Sequence, residues 1–221
     1  MAIIGILYKG RYTMNITQYY KWLKKEWAKV GFIVSLFLFP ILIITVRPHD
    51  YVLFILLLQT PIYMLHETEE FVFPGGFGTY FNHYIFRLPD TSNPIDENFI
   101  FFVNMGLVWL ALPIFALLSS IDYIYGLWIP YFVIIAGIFH IGIAMKTHRF
   151  YNPGLVVSLV LNIPVGSWSV YQLVEAGVLN NYILNIHLLL GLLVNLTLPV
   201  MGYVLYKKGL KEKKYKASSS L

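Results

Sequence analysis

The chain has 221 residues, of which 58% are hydrophobic and only 12% are charged, and its mean hydropathy is +0.67. Soluble domains carry about 25% charged residues, so this composition, with several apolar runs of about 18 residues or more, indicates a polytopic membrane protein. The net charge of +5 does not indicate nucleic-acid binding, because the cations concentrate at the two termini, where they act as topology signals. The absence of cysteine excludes disulfides, thiolate metal ligands and thiol catalysis.

The chain divides into three predicted parts. Residues 1–29 are basic and aromatic, and the stretch 15–29 predicts an interfacial amphipathic helix that leads into the membrane. A basic flank that only sets the orientation of the first span is the alternative reading of this segment. Residues 30–206 form the membrane domain, and residues 207–221 form a basic tail.

The membrane domain is predicted to be an all-α bundle of about six transmembrane helices. The apolar runs place the first three spans at residues 30–46, 51–73 and 99–118. The fourth span follows Asp122 and ends at residue 145, the fifth ends near residue 173, and the sixth ends near residue 206. Short connections make neighbouring helices antiparallel within one domain.

Several polar residues are predicted to start these helices. Ser92-Asn93-Pro94 followed by acids is typical of a helix start before the third span, and Asp122 can cap the fourth. Asn152-Pro153-Gly154 predicts a helix with Asn152 as the N-cap and Pro153 in the first turn. Asn180 or Asn181 is predicted to cap the sixth span.

Basic residues predict the orientation of the bundle. With six spans, Arg47 is the one Lys or Arg on one side of the membrane, and all the others lie on the side of the termini. This asymmetry predicts that both termini are cytoplasmic and that the protein is a multi-pass protein of the cell inner (plasma) membrane.

Three ionisable side chains mark the end of the second predicted span. At 100° per residue, His66, Glu69 and Glu70 fall within an arc of about 100° on the helix surface. Charges inside a transmembrane helix are costly, so they indicate a functional site. One imidazole and two carboxylates on one face are suited to binding a metal ion.

Other polar residues are predicted to lie at the same depth. In the predicted topology, His140 is about five residues from the cytoplasmic end of the fourth span, and Asn104 is about five residues, or roughly 8 Å, inside the third. Asn152 lies at the cytoplasmic mouth. His187 is predicted to lie near the opposite face, which separates it from this group.

The motif and its neighbours resemble a known family. His66-Glu67-Thr68-Glu69-Glu70, continuing into Phe73-Pro74-Gly75-Gly76-Phe77, resembles the signature of the HXXEE family of integral membrane proteins, and Phe139-His140-Ile141 and Tyr151-Asn152-Pro153-Gly154 are similar to later segments of its pattern. The resemblance covers roughly residues 30–205. It implies a membrane protein of a family that has no settled activity and is suspected of being enzymatic because of the motif.

The number and type of candidate ligand residues favour a site for a single divalent metal ion. His66, Glu69, Glu70 and His140 are the candidate ligands, with zinc preferred and iron or manganese possible. Two histidines and one glutamate then leave an open position, and the other glutamate, with Glu70 favoured, acts as a base on water. Asn104 or Asn152 is a candidate donor to a developing oxyanion. This arrangement predicts hydrolysis or transfer, and the depth of the site predicts a membrane lipid or another amphiphile as the substrate.

Two non-hydrolytic functions stay open at this stage. A proton-coupled transporter would join polar residues of several spans into a continuous column across the membrane, with Glu69 or Glu70 carrying protons. A non-catalytic scaffold would pair these acids with Lys146 or Arg149 as a structural ion network. The depth of the polar residues distinguishes an enzyme from a transporter. A site confined to the cytoplasmic third of the membrane favours an enzyme, and a continuous polar column favours transport.

Overall fold

The computed structural model describes residues 15–89 and 93–219, with residues 211–219 described by their backbone alone. All regular structure in these residues is helical, which confirms the predicted all-α class. The helices are α1 (Ile16–Val46), α2 (Tyr51–Phe71), α3 (Phe77–Tyr80), α4 (Glu97–Leu118), α5 (Ile129–Thr147), α6 (Leu155–Glu175) and α7 (Ile186–Ser219). A π-helical turn, Phe81–Ile85, extends α3.

Within the described residues, five helical segments are long and apolar enough to cross a membrane: Ile16–Val46, Glu97–Leu118, Tyr123–Thr147, Leu155–Glu175 and Ile186–Leu210. The protein is therefore a multi-pass membrane protein. Helix α2, the predicted second span, is not among them, although its 21 residues extend about 31 Å, close to the thickness of the hydrocarbon layer. Its polar residues lower its hydropathy. The count of six spans and the cytoplasmic termini stay predictions.

Helix α2 lies inside the bundle rather than at its surface. It packs along α1 and contacts α4, α5 and α6. Ile55 and Leu56 on α2 are completely buried in the same core cluster as Val108 and Ile129. By contrast, α1 and α7 expose large apolar side chains, as expected for helices that face lipid. The polar residues of α2 are thus shielded from the surrounding membrane by other helices.

Three helices begin at other residues than the sequence predicted. Helix α4 follows Asp96, whose carboxylate accepts from the N–H of Phe99, and so begins after Ser92-Asn93-Pro94. A carboxylate is favoured there by the helix dipole. Helix α7 is capped by Asn185, which accepts from the N–H of Leu188, while Asn181 forms the preceding turn. Helix α6 starts at Leu155 and not at Pro153, because the side chain of Asn152 is directed elsewhere.

The other predicted boundaries differ by small amounts. Asp122 accepts from the N–H of Ile124 and starts the short 3₁₀ turn that precedes α5. The interfacial segment and the first span form one continuous helix, capped by Asn15, and the basic tail continues α7 as a helix. Residues 1–14, the rest of the predicted basic segment, lie outside the described residues.

Side-chain contacts join several of these elements at one end of the bundle. Lys24 at the start of α1 donates to Asn98 at the start of α4, over 3.0 Å. Tyr80 of α3 and Thr147 at the end of α5 are hydrogen-bonded over 2.9 Å. We call this the basic end, since it also carries the cations of α1, of α7 and of the loop after α5. The candidate site lies just inside it.

Candidate metal centre

Three side chains from two helices meet at the centre of the site. His66 and Glu70 are one turn apart at the end of α2, and His140 faces them from α5. Glu70 Oε1 lies 3.5 Å from His66 Nε2 and 3.1 Å from His140 Nε2. The three ligand atoms lie within 4.8 Å of one another, and all three residues are buried. Both imidazoles therefore direct the same nitrogen at a single carboxylate oxygen.

Asn152 holds the ring of His140 in one orientation. Its amide nitrogen donates to the backbone oxygen of His140 over 3.0 Å, so its Oδ1 is the atom 2.7 Å from His140 Nδ1. That oxygen accepts a proton from Nδ1, which leaves Nε2 with its lone pair directed at the site. A hydrogen-bond acceptor for the ring nitrogen that does not face the metal is typical of metal-binding histidines. Asn152 thus acts through His140, and both of its polar groups are engaged.

Ser158 takes the equivalent position beside His66. Its hydroxyl donates to the backbone oxygen of Gly154 over 2.6 Å, so towards His66 Nδ1, 3.5 Å away, it presents an acceptor. The contact is long, but it favours the same tautomer as in His140. The place of Ser158 beside the histidine was not predicted from the sequence.

Gly154 packs directly against both rings. A Cβ atom at this position would lie 2.5 Å from His140 Cε1 and 2.9 Å from His66 Cε1, which is closer than real Cβ contacts. Its φ of +99° is also a conformation that side chains disfavour. From the sequence, Gly154 was predicted only as part of a helix start. Its positive φ could be guessed from the Asn-Pro-Gly turn, but its contact with two distant rings could not.

Glu69 has a different partner from Glu70. Its two oxygens accept from the backbone N–H groups of Val156 and Val157, over 3.1 and 2.6 Å, at the start of α6. The carboxylate therefore satisfies free helix donors and complements the helix dipole. In the loop before α6, burial and the nearby Glu69 carboxylate raise the pKa of Tyr151. Glu69, a predicted ligand, lies outside the group formed by His66, Glu70 and His140.

Glu67, the second residue of the motif, is a buried carboxyl that was not among the predicted site residues. It is 1% exposed, and neither of its oxygens has a hydrogen-bond partner. A buried polar group without a partner is costly. Its residue type and its place in the motif were visible in the sequence, whereas its lack of partners depends on how the helices pack around it.

A cavity of about 470 Å³ leads to the metal-ligand group. Glu70 and His140 form part of its wall, together with Asn104, and most of the remaining lining is apolar. The amide nitrogen of Asn104 donates to the backbone oxygen of Ile100, over 2.8 Å. The structure therefore places Asn104 in the same cavity as the site, while its predicted role as an oxyanion donor stays a prediction.

The turn after α2 contributes an aromatic wall. Gly75 and Gly76 have φ values of +75° and +87°, which let the chain reverse directly after the motif. The reversal brings the ring of Phe77 to 6.1 Å from that of His140, between ring centroids. The second half of the family signature thus closes one side of the site.

The remaining candidates are not part of this group. His187 lies outside it, as predicted from depth. Within the described residues no ion pair joins Glu69 or Glu70 to Lys146 or Arg149, and the Arg149 guanidinium instead lies 4.0 Å from the centre of the Tyr84 ring.

Comparison with known proteins gives one match. A family described as "Protein of unknown function with HXXEE motif" matches residues 57–169, a region that contains His66, Glu70, His140 and Asn152. No curated protein matches the chain, and no solved structure matches it.

Proposed function

The chain belongs to the HXXEE family, whose function is unknown, and from the chemistry of its buried site we propose that it is an integral membrane metalloenzyme. The proposed reaction is hydrolysis or transfer on a lipid or another amphiphile. The proposed location is the cell inner (plasma) membrane, with the site near the cytoplasmic face.

One observation carries the proposal: two imidazole Nε2 atoms converge on one oxygen of Glu70. Two nitrogens and one carboxylate oxygen form a donor set that fits a divalent metal with an open position, as in catalytic zinc sites. Zinc is preferred, and iron or manganese suits the same donors. His66, Glu70 and His140 would hold the ion.

The neighbouring residues support this donor set. Asn152 and Ser158 each face the Nδ1 atom of one histidine, an arrangement that favours metal binding through Nε2. Gly154 leaves the space in which the two rings approach each other. A site for a metal needs such fixed ring orientations, whereas a buried histidine in a purely structural role needs only one hydrogen-bond partner.

A bound divalent ion would acidify water and polarise a carbonyl or phosphoryl oxygen. Glu70, which lines the cavity, would hold the ion through Oε1, and its second oxygen is proposed to accept the proton that the attacking water loses. Asn104, on the same cavity wall, is proposed to turn its amide towards the developing oxyanion. The apolar lining of the cavity supports an amphiphilic substrate, since such a surface binds hydrocarbon.

Transport is the weaker candidate function. Gln59 lies on α2 two turns before His66, and Ser169 lies on α6. Both are completely buried, and their side chains are hydrogen-bonded to each other over 2.8 Å. Paired side chains of this kind join helices and do not offer a continuous polar path. This observation favours a localised site over a column across the membrane.

The proposal is tested by incubating metal-loaded protein in detergent with a membrane lipid extract and measuring released products by mass spectrometry. We expect product release by the wild type and by Glu26→Gln, a control acid that pairs with Lys29. We expect none from Glu70→Gln or after chelation. Absence of any product from fully metal-loaded wild type would contradict the enzymatic proposal.

A further inference from the structure

The cavity beside the metal-ligand group has a cationic residue at one end of its largely apolar lining. Along α5, Phe132 and Ala136 line it in the first half of the helix, and Lys146 lines it in the last turn, near the basic end. Leu107 and Val194 from other helices contribute to the apolar lining. Glu70 and His140 lie between these two regions. A ligand that fills the cavity therefore needs an apolar part on one side of the site and a polar part on the other.

Lys146 lines the cavity at the basic end, Arg149 follows it by three residues, and Lys207 lies one turn after Tyr203, which also lines the cavity; we call these three cations the cationic mouth. Lys207 lies 5.4 Å from the centre of the Tyr203 ring, which also lines the cavity, and Arg149 lies over the Tyr84 ring. In the part of the chain that the structure describes, none of the three forms an ion pair with an acidic side chain. Their charge is thus available to an anionic ligand.

The spacing between the mouth and the site restricts the ligand further. Lys146 follows His140 by six residues, which corresponds to about 9 Å along the helix axis. An anionic group held by Lys146 therefore lies a short spacer away from Glu70 and His140. In a monoacyl glycerophospholipid, a glycerol unit provides such a spacer between the phosphate and the acyl ester.

We infer that the cavity binds a single-chain anionic amphiphile of the monoacyl glycerophospholipid class. Its phosphate lies at the cationic mouth, its acyl ester beside Glu70 and His140, and its chain against Phe132 and Ala136. This inference rests on the proposed function and specifies its substrate. The reaction is a hydrolysis: water adds to the acyl carbon, the bond from that carbon to the glycerol oxygen breaks, and this oxygen takes up the proton that water loses. The products are a fatty acid and glycerol phosphate.

The test compares monooleoylglycerol phosphate with uncharged monooleoylglycerol in equilibrium binding to metal-loaded protein in a neutral detergent. A lysine near a membrane surface adds about 1 kcal/mol to the attraction of an anionic group, or about fivefold in affinity. We expect the phosphate lipid to bind at least fivefold more tightly. Lys146→Gln should remove most of this preference, whereas Lys208→Gln, an exposed lysine that does not line the cavity, should keep it.

A second pair of variants tests the position of the chain. Gly142 lines the cavity, and a Cβ atom there would meet nothing within 4 Å, so Gly142→Phe can project into the space that the chain would fill. Gly106 is equally open but does not line the cavity, which makes Gly106→Phe the matched control. We expect at least a tenfold loss of binding of both lipids in Gly142→Phe alone.

Metal content and release of oleate, measured on the same samples, separate the two proposals. Equal binding of both lipids, or equal effects of Lys146→Gln and Lys208→Gln, would overturn the inference even if monooleoylglycerol were hydrolysed. Equal effects of the two glycine variants would overturn the position of the chain. Absence of hydrolysis with the expected binding pattern would instead contradict the proposed function and leave the binding inference standing.

Discussion

Gly154→Ala should disrupt the candidate metal centre without removing any ligand. The new Cβ atom would lie 2.5 Å from His140 Cε1 and 2.9 Å from His66 Cε1, whereas ordinary contacts begin at 3.4 Å. The rings of His140 and His66 must therefore retreat by about 0.9 and 0.5 Å. The first shift exceeds the tolerance of roughly 0.5 Å for a working site, and the second reaches it. A φ of +99° adds about 1–3 kcal/mol of backbone strain for alanine.

The assay is metal affinity, measured by competition with a chromophoric chelator, together with the unfolding temperature in detergent. We expect metal binding to weaken at least tenfold, as it does when the surroundings of metal ligands are altered. Gly106→Ala is the control, because its Cβ would meet nothing within 4 Å. Wild-type metal affinity in a folded Gly154→Ala protein would refute the reasoning that Gly154 sets the position of the two rings.

Three further predictions concern residues around the ligands. Asn152→Ala should lower metal affinity about 10–100-fold in the same competition assay, because it frees the His140 ring. Asn152→Asp keeps the hydrogen-bond acceptor and should recover part of the loss. Equal affinities in the wild type and both variants would argue against a positioning role. Glu69→Ala should cost about 1–2 kcal/mol of stability by removing the carboxylate at the start of α6, while bound metal is retained; loss of metal at unchanged unfolding temperature would identify Glu69 as a ligand instead. Glu67→Met should raise stability by about 1–3 kcal/mol, because it removes a buried carboxyl that has no partner; a lower unfolding temperature would show that this carboxyl makes a stabilising contact.

Helical periodicity and depth predicted much of the site. The i, i+4 spacing places His66 and Glu70 on one face of α2, and the predicted topology placed His140 at the same level on another helix. Periodicity did not separate Glu70 from Glu69, because both fall within the same arc of the helix. Their different roles depend on the start of α6, whose free N–H groups lie against Glu69.

The outer residues of the site were harder to predict. Asn152-Pro153-Gly154 has the local chemistry of a helix start, and that pattern fits the sequence as well as the observed arrangement does. In the folded chain the amide of Asn152 contacts His140, twelve residues away, and Gly154 contacts the His66 ring as well. Such contacts arise from the packing of α2, α5 and α6, which a single sequence does not reveal.

The most direct test of the central proposal is the metal content of protein purified in detergent without chelators, determined by elemental analysis. We predict about one equivalent of a divalent metal, preferably zinc, in the wild type and in Glu26→Gln, and loss of that metal in His66→Ala and in His140→Ala. Loss in both variants would establish a centre shared by α2 and α5. A wild type that holds no metal even after reconstitution, or variants that retain a full equivalent, would contradict the account.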